Sequence, residues 1–134
     1  MKKYICALKN GYILLPQNSH LFGNAMIATK GLNGEIKLFS DDAWEKVCKC
    51  LHSIDDELTK NVVLRKILTF SDVVEVRNGR IKLNSYLRGI LPEGNINMYL
   101  EKGIITFTVL EKKNDFFDLC VNGENKNDTQ NETI

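Results

Sequence analysis

The sequence predicts an α+β fold in which two tandem copies of one β-rich unit flank a helical insert. Three observations carry this: a segment that recurs at a fixed offset, an Asn-Gly pair at the same place in each copy, and helical periodicity confined to the stretch between them. Lys9-Asn10-Gly11-Tyr12-Ile13-Leu14-Leu15 returns 68 residues later as Arg77-Asn78-Gly79-Arg80-Ile81-Lys82-Leu83. With one inserted residue the match continues, setting Ile27 against Ile96, Gly34 against Gly103, Ile36 against Ile105 and Leu38 against Phe107. The copies cover about residues 4–39 and 73–109, the insert spans 40–70, and residues 1–113 form one domain.

Each Asn-Gly pair predicts a hairpin, because a type I′ turn needs positive φ at both central residues and these two types tolerate it. In the second copy the turn sets Arg77 opposite Arg80, Val76 opposite Ile81, Glu75 opposite Lys82 and Val74 opposite Leu83. One face is then apolar and the other charged, as a half-buried hairpin requires. In the first copy Cys6, Leu8, Ile13 and Leu15 face inward. Its outer face, Lys9 with Tyr12 and Ala7 with Leu14, is much less polar.

Within the insert, Ser40-Asp41-Asp42 starts a helix whose buried stripe is Trp44, Val47, Cys48 and Leu51, with the acids placed where the helix dipole favours them. Ser53 or Asp55 caps a second helix running to about Phe70, with rows Leu58, Val62, Arg65, Leu68 and Val63, Ile67. Both helices are expected to pack on the β core. The segment 114–134 carries five acids against one lysine and is expected to be a disordered tail, since 122–134 hold a single apolar side chain.

Composition narrows the function. The chain has 134 residues, 43 % hydrophobic, with net charge +1, which describes a globular domain rather than a disordered or fibrous one. No apolar run reaches membrane-spanning length and the N-terminal run is too short for a signal peptide, so a cytoplasmic location is expected. Cys6, Cys48, Cys50 and Cys120 suit reduced thiols there. Cys48-x-Cys50-x-His52 lacks a fourth ligand nearby and Cys48 belongs to an apolar stripe, so no metal site is expected. His20 and His52 have no nucleophile at a catalytic spacing, and no glycine-rich phosphate loop is present; neither an enzyme nor a cofactor is expected. Charge is uneven: residues 1–40 hold five lysines against one glutamate, and 71–113 hold seven basic side chains against five acidic. Arg77 and Arg80, facing each other across a hairpin tip, repel unless an anion or a carboxylate joins them. Two guanidiniums on a two-stranded ribbon fit a DNA major groove, where arginine takes guanine or holds phosphates.

These stretches resemble the MraZ family, bacterial regulators of the division and cell-wall gene cluster with a tandem version of the AbrB/SpoVT-like swapped-hairpin fold. The family pattern Asp-x-x-Gly-Arg, followed by a strand that usually ends in Pro, is matched by Val76-Arg77-Asn78-Gly79-Arg80 ending at Asn84 and by Leu8-Lys9-Asn10-Gly11-Tyr12 ending at Pro16. Gly31 to Glu45, Leu87-Arg88-Gly89-Ile90 and Asn95 to Leu100 add to the likeness, which spans about residues 4–110. Both motif Asp positions are apolar here, Leu8 and Val76; Tyr12 stands at the first Arg and Asn84 at the second Pro.

The resemblance implies a double-psi-like β unit from each half, packed as a pseudo-dimer with helices outside, and subunits assembled into a homo-oligomeric ring. It implies a transcriptional regulator, nucleoid-associated, that binds double-stranded promoter repeats through its basic hairpins. Arg80 takes the place of the second motif Arg. Arg77, Arg80, Lys82, Lys9, Tyr12 and Lys37 are the expected DNA-binding residues. The departures leave an alternative, a diverged oligomeric protein-interaction module using Lys9, Tyr12 and Leu14. An AbrB-type antitoxin fits less well, because such chains usually carry one hairpin unit.

Overall fold

The structure, a computed structural model, describes residues 2–16, 25–31, 33–69, 71–112 and 115–121. Its eight strands are β1 (Lys2–Lys9), β2 (Tyr12–Leu14), β3 (Ala25–Lys30), β4 (Ile36–Phe39), β5 (Asp72–Arg77), β6 (Arg80–Lys82), β7 (Gly94–Glu101) and β8 (Ile104–Thr108). They close into an antiparallel barrel in the order β1-β2-β6-β5-β3-β4-β8-β7, which leaves no unpaired sheet edge. Helices α1 (Asp41–His52) and α2 (Glu57–Thr69) link β4 to β5, and α3, residues 116–121, follows β8. Among the described residues no helix is long and apolar enough to cross a membrane.

Both Asn-Gly turns adopt positive φ at both positions: 54° and 80° at Asn10 and Gly11, 53° and 71° at Asn78 and Gly79. The turn chemistry therefore sets the register. Lys9 faces Tyr12, Leu8 faces Ile13 and Ala7 faces Leu14, while Arg77 faces Arg80 and Val76 faces Ile81. The second ladder stops there: Glu75 and Val74 pair with Ala25 and Met26 of β3, and Lys82 pairs with Tyr12 of β2.

The copies interleave. The β1–β2 hairpin lies between β7 and β6 of the other copy, and β5–β6 between β2 and β3. Ile13 faces its own counterpart Ile81, and Lys37 faces its counterpart Thr106. Cys6 faces Ile96 while its counterpart Val74 faces Met26. Met26, not Ile27, is thus the equivalent of Ile96, and the expected alignment is one residue out at this pair, while Ile36 with Ile105 and Leu38 with Phe107 keep the expected offset. Burial agrees, since Met26 is 1 % exposed and Ile27 only half-buried; a one-residue slip reverses a strand's faces.

The barrel interior holds the inward residues of every strand, among them Leu8, Ile13, Val74, Ile81, Ile96 and Phe107. A second core lies outside the barrel, where Phe39 and Ile104 meet Val47 and Leu51 of α1, Ile67 of α2 and Phe117 of α3. Ser40 caps α1 by accepting from the Ala43 N–H at 3.2 Å. The cap of α2 is Asp56, which accepts from the Thr59 N–H at 3.1 Å, whereas Ser53 closes α1. Asp56, rather than Ser53 or Asp55, satisfies the free amides of that first turn. Only the Val63–Ile67 side of α2 packs inward; Leu58, Val62 and Leu68 stay exposed.

Residues 115–121 do not belong to a disordered tail. Phe117 is fully buried with its ring tilted against Phe39 at 5.3 Å, and Val121 and Phe116 join the same core, so burial of apolar surface anchors the helix. Residues 122–134, for which disorder is expected, and His20 lie outside the described residues.

Beneath α3 lies a buried layer of charge. Lys37 Nζ is 3.2 Å from Asp115 Oδ2 and donates to Thr106 Oγ1 at 3.0 Å; Lys112 Nζ donates to Asp118 Oδ2 at 2.9 Å. Glu35 is 4 % exposed beside this layer. Burial raises its carboxyl above the usual 4.5, with Asp115 and Asp118 adding to the effect against Lys37 and the Asn33 N–H. The folded state therefore binds the Glu35 proton more tightly than the unfolded state does, and ionised Glu35 opposes folding above that range. Glu35→Gln is expected to raise the melting temperature at pH 7, with the gain vanishing as the pH falls below about 4.5. A lower melting temperature for Glu35→Gln at pH 7 would contradict this electrostatic assignment.

Candidate functional site

Outward positions on four neighbouring strands build one surface. Because side chains alternate along a strand, β1, β2, β6 and β5 turn Lys9, Tyr12, Lys82, Arg80 and Arg77 to the same side. Two cross-strand rows result. Lys9, Tyr12 and Lys82 form one; Ala7, Leu14, Arg80 and Arg77 form the other.

The facing arginines resolve their repulsion differently. Arg77 forms an ion pair with Glu75 of its own strand, yet its side chain remains 78 % exposed. Such a pair contributes at most about 1 kcal/mol and opens readily. Arg80 turns toward the first copy, its guanidinium carbon 5.8 Å from the Tyr12 ring centroid, a cation–π contact. Tyr12, Glu75, Arg77, Asn78, Arg80 and Lys82 line an open groove of about 600 Å³.

Arg88 is a member of this region that sequence reasoning missed as a contact. Its Nε lies 2.6 Å from where a Cβ on Gly11 would stand, so glycine, at φ +80°, admits the guanidinium against the first turn. Glu93 holds the same turn by accepting from the Asn10 N–H at 2.9 Å. The available signal was the stretch Leu87-Arg88-Gly89-Ile90, a basic residue soon after β6.

Two expectations need correction. Lys37 cannot touch a phosphate on the surface, because its side chain is completely buried against Asp115 and Thr106. It does point outward from the barrel, but there the outside is covered by the helical layer. Nor do the arginines sit on a free two-stranded ribbon. The Leu15 N–H donates to Gly79 O at 2.9 Å and the Leu83 N–H to Gly11 O at 2.8 Å, fastening each tip to the other hairpin. The face is four strands wide, about 14 Å between outer backbones, more than a B-form major groove of about 12 Å admits.

Among the described residues no three His, Cys, Asp or Glu side chains converge as a metal ion would need, and Cys48, Cys50 and Cys120 are free and half-buried. No protein-family model matches the chain, and no curated protein matches it.

Proposed function

We propose that this chain is an oligomeric DNA-binding regulator of the MraZ type, with duplex DNA lying across the outer face of β1, β2, β6 and β5. The observation that carries the reading is the convergence of Lys9, Lys82, Arg80 and Arg77 from both copies on one exposed surface. Arg88 extends it beside Gly11. The interleaved hairpins and the facing of Ile13 with Ile81 support a tandem swapped-hairpin descent for the barrel. The phosphate backbone, rather than base edges deep in a groove, is the natural partner of a wide cationic sheet. One such face binds weakly, and several presented by an oligomer to repeated sites gain by effective concentration.

Titration of duplex DNA at several salt concentrations tests this. With four cations on phosphates the slope of log affinity against log salt is about −3.6, a loss of about a hundredfold between 50 and 200 mM. A flat response or absent binding contradicts it. The second reading, an oligomeric protein-interaction module, is favoured by Ile5, Leu14 and Val73, which are 65 %, 37 % and 62 % exposed on the same side of the sheet. It is the reading left standing if DNA does not bind.

A further inference from the structure

We infer that the groove beside Tyr12 takes unpaired nucleotides, so that the face holds single-stranded as well as duplex DNA. This rests on the DNA-binding reading above and goes beyond it by naming what the groove is for. A duplex shows a flat face only phosphates and grooves, and it leaves an aromatic ring and exposed aliphatic side chains without a use. Unstacked bases use both. Tyr12 stands in the middle of the sheet face, half-buried, with Lys9 and Lys82 as its cross-strand neighbours and the Arg80 guanidinium at 5.8 Å. Aromatic side chains set among cations on a β surface are how proteins bind single strands: the ring stacks on a base of any identity and the cations follow the backbone.

The groove's dimensions and chemistry agree with that use. About 600 Å³ accommodates a nucleotide or two. Arg77 and Lys82 lie where phosphates would pass, while Asn78 and Glu75 offer donors and acceptors to a base edge. Exposed Leu14 and Val73 continue the apolar part of the same face. The Arg80–Tyr12 contact keeps the ring covered until a base takes over one partner, and the arginine remains able to stack on that base.

The test compares an oligothymidylate of about ten nucleotides with a duplex of mixed sequence, by fluorescence anisotropy at low salt on the full chain. The variants are Tyr12→Leu and Tyr12→Phe, each first shown to unfold at the parent's temperature. The expected result is that Tyr12→Leu loses about tenfold in affinity for the oligothymidylate and several-fold less for the duplex, while Tyr12→Phe keeps its affinity for the oligothymidylate. Duplex binding without oligothymidylate binding overturns the inference and leaves the duplex reading intact. So does equal loss, or no loss, of both ligands in Tyr12→Leu. Failure of the parent to bind either nucleic acid overturns both.

Discussion

Lys37→Met is expected to lower the unfolding free energy by about 3–5 kcal/mol, a fall of more than about 10 °C in melting temperature for a domain of this size. The lysine is wholly buried, 3.2 Å from Asp115 and hydrogen-bonded to Thr106. Removing it leaves the buried Asp115 carboxylate without its counter-ion, which costs far more than the pair contributes while intact. The double variant Lys37→Met with Asp115→Leu is expected to recover much of the loss, since two apolar groups need no pairing. Asp118 shares the layer. Burial penalises its charge, but the Lys112 hydrogen bond and the field of Lys37 outweigh this and hold its carboxyl below the usual 3.8. Its contribution is therefore present above that pH and lost as the pH falls through the lower folded value. Calorimetric or denaturant unfolding of the single and double variants checks the coupling; simple addition of the two single effects would show that the residues act independently.

Arg77→Ala combined with Arg80→Ala is expected to reduce the salt slope of duplex binding by about 1.8 and the affinity at 0.15 M salt by about thirtyfold. Both side chains are solvent-exposed, so stability should change by less than about 0.5 kcal/mol. Glu75→Gln should act in the opposite sense, because it releases Arg77 from its ion pair and removes a negative charge from the face. Gel-shift or anisotropy titrations over a salt series read both effects. An unchanged slope in the double arginine variant would place the DNA elsewhere.

The two hairpin turns and the start of α1 were legible, because each is fixed by local chemistry, whereas the outer pairs of the second hairpin were not, and Ala43, rather than the expected Trp44 and Cys48, is buried with Val47 and Leu51 on α1. Asn-Gly turns determine cross-strand partners, and Ser40 with Asp41 and Asp42 determines where the helix begins. What local pattern could not reveal is which outward positions meet water. Lys37 and Arg80 both occupy outward places on strands, yet Asp115, Thr106 and the Phe117 ring of α3 enclose the first while the second stands in solvent. Helix α3 itself was hidden by the acidic composition after residue 114, although Phe116 and Phe117 mark it as a packing element. The alignment of Ile27 with Ile96 failed for a related reason: like residues in adjacent registers look equivalent until a partner strand chooses between them. For the candidate site, five of the six expected residues share one face, but closure of the barrel made that face a wide sheet instead of a narrow ribbon.

The most direct test of the cationic face is amide chemical-shift mapping of the isotope-labelled chain as duplex DNA is added. The expected result is that the largest changes fall at residues 9–14 and 77–82 and near Arg88, with helices α1 and α2 unmoved. Changes centred on residues 41–69, or none anywhere at concentrations where DNA is bound, would contradict it.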